Sequence, residues 1–263
     1  MINDFNPVEY LDYLQSKGIS SFTSDEYRAA LKLSKDSAKV SLHRLKKKKL
    51  IVSPAQGFNL ILTPEYRKLG SLPPELFIDS LMKHLKINYY VGLLSAAEKL
   101  GASHHRPQVF QVLLDRQRRN LTSGQVVIQF LKRSVIQELP IMQKSVKTGY
   151  FNISSAELTA FDLVGYQKQA GGLQNVLTVL EELAEVIDPR KLLKVGRRCP
   201  IAWSQRLGFL LALLDKQQLL AGLSELVKQK ARVYVPLVYG VTVDKENRSK
   251  DWRIFINENI ELD

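Results

Sequence analysis

Four histidines, one cysteine and 26 acidic side chains are the residues from which this chain would have to build a catalytic centre. The adjacent pair His104-His105 has metal-ligand chemistry, but neighbours on a loop do not readily face one ion, and no carboxylate cluster accompanies them. They read as ordinary polar loop residues. A metal-dependent nuclease needs clustered carboxylates to hold its cations. Asp115 and Glu138 flank a strand-rich stretch, but no lysine stands two residues after Glu138, so the usual nuclease spacing is missing. The chain contains no G-x-S-x-G, no phosphate-binding G-x-x-x-x-G-K-[ST] and no H-E-x-x-H. The lone Cys199 excludes an internal disulfide framework and a cysteine-based zinc cluster. The chemistry expected is binding, with no catalytic residues, no metal and no cofactor.

The cations are a stronger signal. Lys and Arg number 38 against 26 Asp and Glu, a formal net charge of +12, with a pI near 9.6. Such a balance favours a polyanionic partner. Both residues 1–70 and the remainder are net basic. The densest run is Lys46-Lys47-Lys48-Lys49. Further along, Arg116, Arg118 and Arg119 share one expected turn, and Lys132 and Arg133 end the next strand. Helical spacing puts Arg190, Lys194, Arg197 and Arg198 near one face. These later clusters read either as ordinary solvated surface or as an additional basic surface that follows phosphates or grips an acidic protein.

The elements that position the first cluster lie between Phe22 and Leu62. Thr23-Ser24-Asp25-Glu26 opens a short helix, a small hydroxylated residue ahead of acids in the first turn. Ser34 caps a second helix with Ala38, Leu42 and Leu45 on its apolar side. Ser37, Lys39, Ser41, His43, Arg44 and Lys48 then point away from the core. Strand-like runs at Leu50-Ile51-Val52 and Phe58 to Leu62 follow, separated by a turn at Ser53 to Gly57. Helix, tight turn, basic helix and hairpin form the pattern of a winged helix-turn-helix, in which the second helix enters the major groove. The expected DNA contacts are Ser34, Lys35, Ser37, Lys39, Ser41 and Arg44 on the helix, Lys46 to Lys49 on phosphates, and Gln56 and Asn59 at the wing tip.

A first helix from Asn6-Pro7 to Lys17-Gly18 completes a three-helix core. Gly70-Ser71-Leu72-Pro73-Pro74 is the expected domain boundary, giving a DNA-binding domain at 1–70 and a mixed domain at 71–263. Beyond it, helices are expected at Glu75 to Leu85 and Tyr89 to Gly101. Strands are expected at Gln108 to Leu114, Gln125 to Leu131, Ile136 to Met142 and Gly149 to Ile153, as an antiparallel meander. Helices dominate from Ser154 to Gln229, and β character returns at Arg232 to Tyr239 and Trp252 to Ile256. The fold class is α+β, helix-rich, with a small antiparallel sheet. The chain opens MINDFNPVEY without a basic-then-apolar signal, and its apolar runs are too short to span a bilayer, so a cytoplasmic protein with no membrane partner is expected.

Four stretches, in order, resemble the AbiEi-type antitoxins of bacterial type IV toxin–antitoxin, or abortive infection, systems. They are YYVGLLSAAEKLGASHHRPQVFQVLL (Tyr89 to Leu114), LTAFDLVGYQKQAGGLQNVLTVLEELA (Leu158 to Ala184), RLGFLLALL (Arg206 to Leu214) and WRIFINENIELD. The winged helix-turn-helix resembles the DNA-binding domain of that family. The resemblance implies a repressor that binds inverted repeats in its own promoter, as a dimer or as cooperative monomers. It also implies a nucleotidyltransferase-like toxin as functional partner, with no stable complex required, and a role in phage resistance. The competing expectations are a targeting or catalytic subunit of a nucleic-acid-processing enzyme, and an adaptor whose winged helix never meets DNA.

Overall fold

The computed structural model describes residues 6–102 and 107–260, and His104-His105 lie outside them. The chain begins with α1 (Pro7–Ser16), β1 (Ser21–Thr23), α2 (Ser24–Ala30), α3 (Lys35–Lys47), β2 (Ile51–Ala55) and β3 (Phe58–Ile61). Each of these helices starts where a side chain satisfies otherwise unpaired N–H groups. Asn6 with Glu9 and Thr23 with Glu26 form capping boxes on α1 and α2, and Ser34 Oγ accepts from Ser37 N on α3. The three strands pair antiparallel in the order β1-β3-β2, the winged-helix arrangement. Only β1 is absent from the pattern expected from the residues, because three residues carry too little periodicity to show.

The core of this module is aromatic. Tyr10, Phe22 and Tyr27 pack with ring centroids 5.6–5.9 Å apart, and Leu42, Leu45 and Ile51 close over them. Tyr27 is fully buried, and its hydroxyl lies 2.6 Å from Ser41 Oγ, so the ring enters the core without an unsatisfied polar tip. Burial of a ring of this size stabilises the fold by roughly 1.5–3 kcal/mol.

The chain continues through α4 (Ile78–Leu85), β4 (Tyr89–Val91), α5 (Leu93–Leu100), β5 (Phe110–Leu114), β6 (Leu121–Ser123), β7 (Val126–Lys132), β8 (Ile141–Val146) and β9 (Gly149–Ser154). The sheet order is β6-β7-β5-β4-β9-β8. Three expectations are corrected here. Tyr89–Val91 is a strand, so the helix expected from Tyr89 starts only at Leu93. The strand expected at Ile136 to Met142 starts at Ile141. The sheet is mixed, not an antiparallel meander, since β5 runs parallel to β7 from Phe110↔Ile128 to Leu114↔Lys132. The reason is topological. After β5 the chain passes to the outer strand β6, and the hairpin at Gly124 brings β7 back between β6 and β5 in the direction of β5.

The rest is helical: α6 (Ala156–Gly165), α7 (Leu173–Leu183), α8 (Pro189–Gly196), α9 (Ile201–Leu213) and α10 (Leu220–Lys230). Two-residue bridges at β10 (Val235–Pro236), β11 (Arg248–Ser249) and β12 (Ile254–Phe255) supply the late β character. The fold class is therefore α+β and helix-rich. The chain forms two compact units. The first comprises the chain up to Tyr90 with Gln108–Ser134 and Gln143–Asn152; the second comprises Val91–Pro107, Val135–Met142 and Ile153 onward.

Two helices of the second unit are buried around almost their whole circumference: α6 from Ala156 to Val164 and α9 from Ser204 to Leu211. Both lie inside, and each carries buried polar side chains, Glu157, Thr159 and Asp162 on α6 and Ser204, Gln205 and Arg206 on α9. Gly208 explains one packing detail, because a Cβ there would meet the Trp252 ring at 2.0 Å. Arg206 is the exception in α9, a cation only 3% exposed. Its Nε donates to the Pro236 carbonyl at 3.0 Å, the Tyr239 ring lies 4.9 Å away, and burial lowers its pKa. No helix among the described residues is long and apolar enough to cross a membrane.

Candidate nucleic-acid interface and basic cleft

The α3 helix presents a polar face set by its buried side. Ala38, Leu42 and Leu45 face the core, which leaves Lys35, Ser37, Lys39, Arg44 and Lys46 to Lys49 exposed. None of those lysines and arginines forms an ion pair among the described residues. Ser34 and Ser37 bond to each other at 2.9 Å at the N-terminus, and Ser41 is half-buried against Tyr27. Sequence reasoning missed Val40, which is 50% exposed amid this polar face. Its position off the Ala38–Leu42–Leu45 stripe was the available signal. An exposed aliphatic group there has the chemistry to meet a thymine methyl.

The wing differs from expectation at one residue. Asn59 is only 2% exposed; its Oδ1 accepts from Ser53 Oγ at 2.5 Å and its Nδ2 donates to Ser24 Oγ at 3.3 Å. It braces the hairpin from behind instead of forming its tip. All of β3, the central strand of its sheet, is buried on both sides, so the Asn59 amide needs partners. Gln56 does occupy the turn with an exposed side chain, while its carbonyl meets His84 Nε2 at 3.0 Å and Phe58 packs on the His84 ring. Beside β2, a groove of about 500 Å³ gathers Lys46 and Lys49 with Arg67 and Lys68, both of which sequence reasoning passed over.

The later basic residues do not form one surface. Arg116 is paired with Asp115 at 2.8 Å, which holds that carboxyl below its usual range. Arg118 lies over the Phe130 ring at 5.7 Å, while Arg119 and Lys132 are exposed. Arg133 is only 6% exposed and drops out of any surface. Its place just past β7, with its N–H on the Leu114 carbonyl at 2.7 Å, carries it inward.

The second unit holds the larger cavity, about 940 Å³ and open to solvent. Lys191, Lys194, Arg197 and Arg198 from α8 and its C-terminal turn line it, together with aliphatic Leu100, Ile141, Met142, Val186 and Val195. Arg190 is exposed but outside the cavity, and Lys191 takes the place expected for it. The α8 helix is fixed at its start by Asp188, whose side chain accepts from Arg190 N and Lys191 N at 2.8 and 2.9 Å. Those N–H groups, Lys191 first, hold the Asp188 carboxyl below its usual range. Glu157 also borders the cavity, but it is buried and takes the Asp188 N–H at 3.1 Å. Among the described residues, no group of three or more His, Cys, Asp or Glu side chains is arranged to hold a metal ion.

Comparison with known proteins gives the chain its relatives. No curated protein matches it in sequence. A crystal structure of the RV2827C protein from Mycobacterium tuberculosis shares the fold at a TM-score of 0.70 and 14% identity, covering 99% of this chain and 94% of that one. At that identity the likeness is one of fold. Residues 90–213 match the model of the AbiEi antitoxin C-terminal domain, and this stretch contains α5, α6, α7, α8, α9 and every residue lining the cavity of the second unit. Over those residues, just under half of its length, the chain is similar to the C-terminal domain of AbiEi antitoxins.

Proposed function

We propose that this chain is the antitoxin of a type IV toxin–antitoxin operon and represses that operon by binding repeated sites in the promoter through α3. On this reading residues 1–70 serve as the DNA-binding domain and residues 71–263 as the antitoxin domain that neutralises a nucleotidyltransferase-like toxin, with no stable complex required. The observation that carries the DNA-binding half is the α3 face: Lys35, Lys39, Arg44 and Lys46 to Lys49, all exposed against a single acid, Asp36, on a capped helix. Ser37, Lys39 and Arg44 are placed to reach base edges, and Lys46 to Lys49 to neutralise phosphates whatever the sequence. One winged module covers a short half-site, so selectivity calls for two copies on repeated half-sites. Repression then follows from occupying the polymerase site.

The test is an electrophoretic mobility shift with the DNA upstream of the gene, beside a scrambled competitor, at two salt concentrations. Two retarded bands that resist the competitor are expected. Equal binding to both DNAs, vanishing with salt, overturns the repressor reading.

A further inference from the structure

The groove beside β2 gathers cations that no single element would bring together. Lys46 and Lys49 come from the end of α3 and the turn after it, Arg67 and Lys68 from the turn that follows the wing. All four are exposed, and none forms an ion pair among the described residues. No acid lines the groove, and Glu65, close to Arg67 in sequence, accepts the Thr63 hydroxyl at 3.3 Å. Ser53 of β2 and Gln125 of the β6–β7 turn add polar side chains to the lining. β2 is an edge strand of the wing sheet and packs against β6, so that turn is held beside the wing. Four cations around about 500 Å³ create a positive potential that favours a polyanion. No aromatic ring lines the groove to stack a base, which suits it to a phosphodiester backbone. Lys46 stands about two turns beyond Lys39 on the same face of α3, so the groove continues the surface that α3 offers to DNA.

We propose that this groove seats the DNA backbone flanking the half-site read by α3, with Arg67 and Lys68 neutralising phosphates and the Gln125 amide donating to one. The site presupposes the promoter-binding reading above and carries its contacts outside residues 1–70, because Gln125 belongs to the β6–β7 turn. Phosphate contacts of this kind fix register and add affinity without reading bases. The chain then covers a longer stretch of duplex than a lone winged module.

The experiment uses the full chain on its own promoter DNA and on a scrambled duplex. The variants are Arg67→Gln/Lys68→Gln and, separately, Gln125→Glu, each checked for an unchanged melting temperature. Binding is measured at several salt concentrations, and the contacted phosphates are mapped by ethylation interference. With two phosphate contacts gone, the double variant should lower the salt slope by about 1.8, so its loss of affinity between roughly 50 and 200 mM salt shrinks about tenfold. Its preference for promoter over scrambled DNA should match the wild type. Gln125→Glu should weaken binding to both DNAs by about tenfold, since a carboxylate beside a phosphate is repelled. Ethylation of one or two phosphates beyond the half-site should hinder the wild type and leave the double variant indifferent. An unchanged salt slope in the double variant overturns the inference alone, and so does wild-type affinity in Gln125→Glu. Interference confined to phosphates within the half-site also overturns it, and leaves the groove to a free anion. A wild-type chain that binds neither DNA overturns the repressor reading and this inference together.

Discussion

Helices α3 and α8 are both capped by a side-chain oxygen at their start and both basic on the outer side, yet their surroundings differ. Ser34 caps α3 and Asp188 caps α8. The face of α3 carries Val40 as an exposed apolar side chain, and Asp36, Ser37, Val40, Ser41 and Arg44 border a groove of about 530 Å³ there. The α8 cations instead border a cavity of about 940 Å³ that they share with several aliphatic side chains. Charge alone would class the two as one kind of surface. The lining separates them: α3 offers mostly Ser, Lys and Arg side chains, suited to phosphates and base edges, whereas the α8 cations share their cavity with Leu100, Ile141, Met142 and Val186.

The sharpest way to break that comparison is a double dissociation. Replacing Lys39 and Arg44 by Ala should weaken promoter binding by about 1–3 kcal/mol for each side chain that reads a base, with toxin protection unchanged. Replacing single lysines among Lys46 to Lys49 should lower the salt slope of binding by about one for each phosphate no longer neutralised, without changing sequence preference. Gel shifts at several salt concentrations read both. If either set removes toxin protection as well, the two faces are not functionally distinct.

Next in size are the residues that seat the two helices. Leu42 is 7% exposed on α3 and Leu192 is fully buried on α8. Truncation to Ala should cost about 2–5 kcal/mol at either site, seen as a lower melting temperature. An unchanged melting temperature would mean that the helix is not held by that residue. Asn59→Ala should cost about 1–3 kcal/mol by leaving Ser53 and Ser24 without their shared partner, whereas Gln56→Ala should leave stability unchanged. Equal effects at the two sites would return Asn59 to the wing surface.

The smallest effect concerns pH. The Asp188 carboxyl is held below its usual range by the N–H groups of α8. Its stabilising contribution is present above the unfolded-state value and is lost as pH falls through the lowered folded value. Asp188→Asn keeps an acceptor for the cap but removes that titration. Melting curves of the variant should therefore fall off less steeply on the acid side, and identical slopes would show that the cap carries no charge effect.

Most of the winged helix was legible because its signals are local. Caps at Thr23 and Ser34 and the Ala38–Leu42–Leu45 stripe each lie within a few residues of what they determine. The sheet was less legible. Tyr89-Tyr90-Val91 is a short apolar run that periodicity cannot assign to strand or helix, and the parallel pairing of β5 with β7 joins segments whose adjacency no local pattern encodes. The cavity was legible only in part. The α8 cations were visible as a helical face, but the aliphatic lining comes from Leu100, Ile141, Met142 and Val186, brought together from separate stretches. Arg206, inside the apolar run RLGFLLALL, gave no hint that its partner would be the carbonyl of Pro236.

The β6–β7 turn has a consequence for anyone who would cut the chain after the wing. A Cβ at Gly124 would fall 2.2 Å from the Leu69 carbonyl oxygen, and the same oxygen accepts from Gln125 N at 2.9 Å. His84 likewise supports the carbonyl of Gln56 from outside residues 1–70. The peptide around Leu69 and Gly70 is thus a clasped seam, poorly presented to a protease that needs an extended backbone. Limited digestion should spare it, and a chain shortened to residues 1–70 should keep its helices but lose the stiffness of its hairpin.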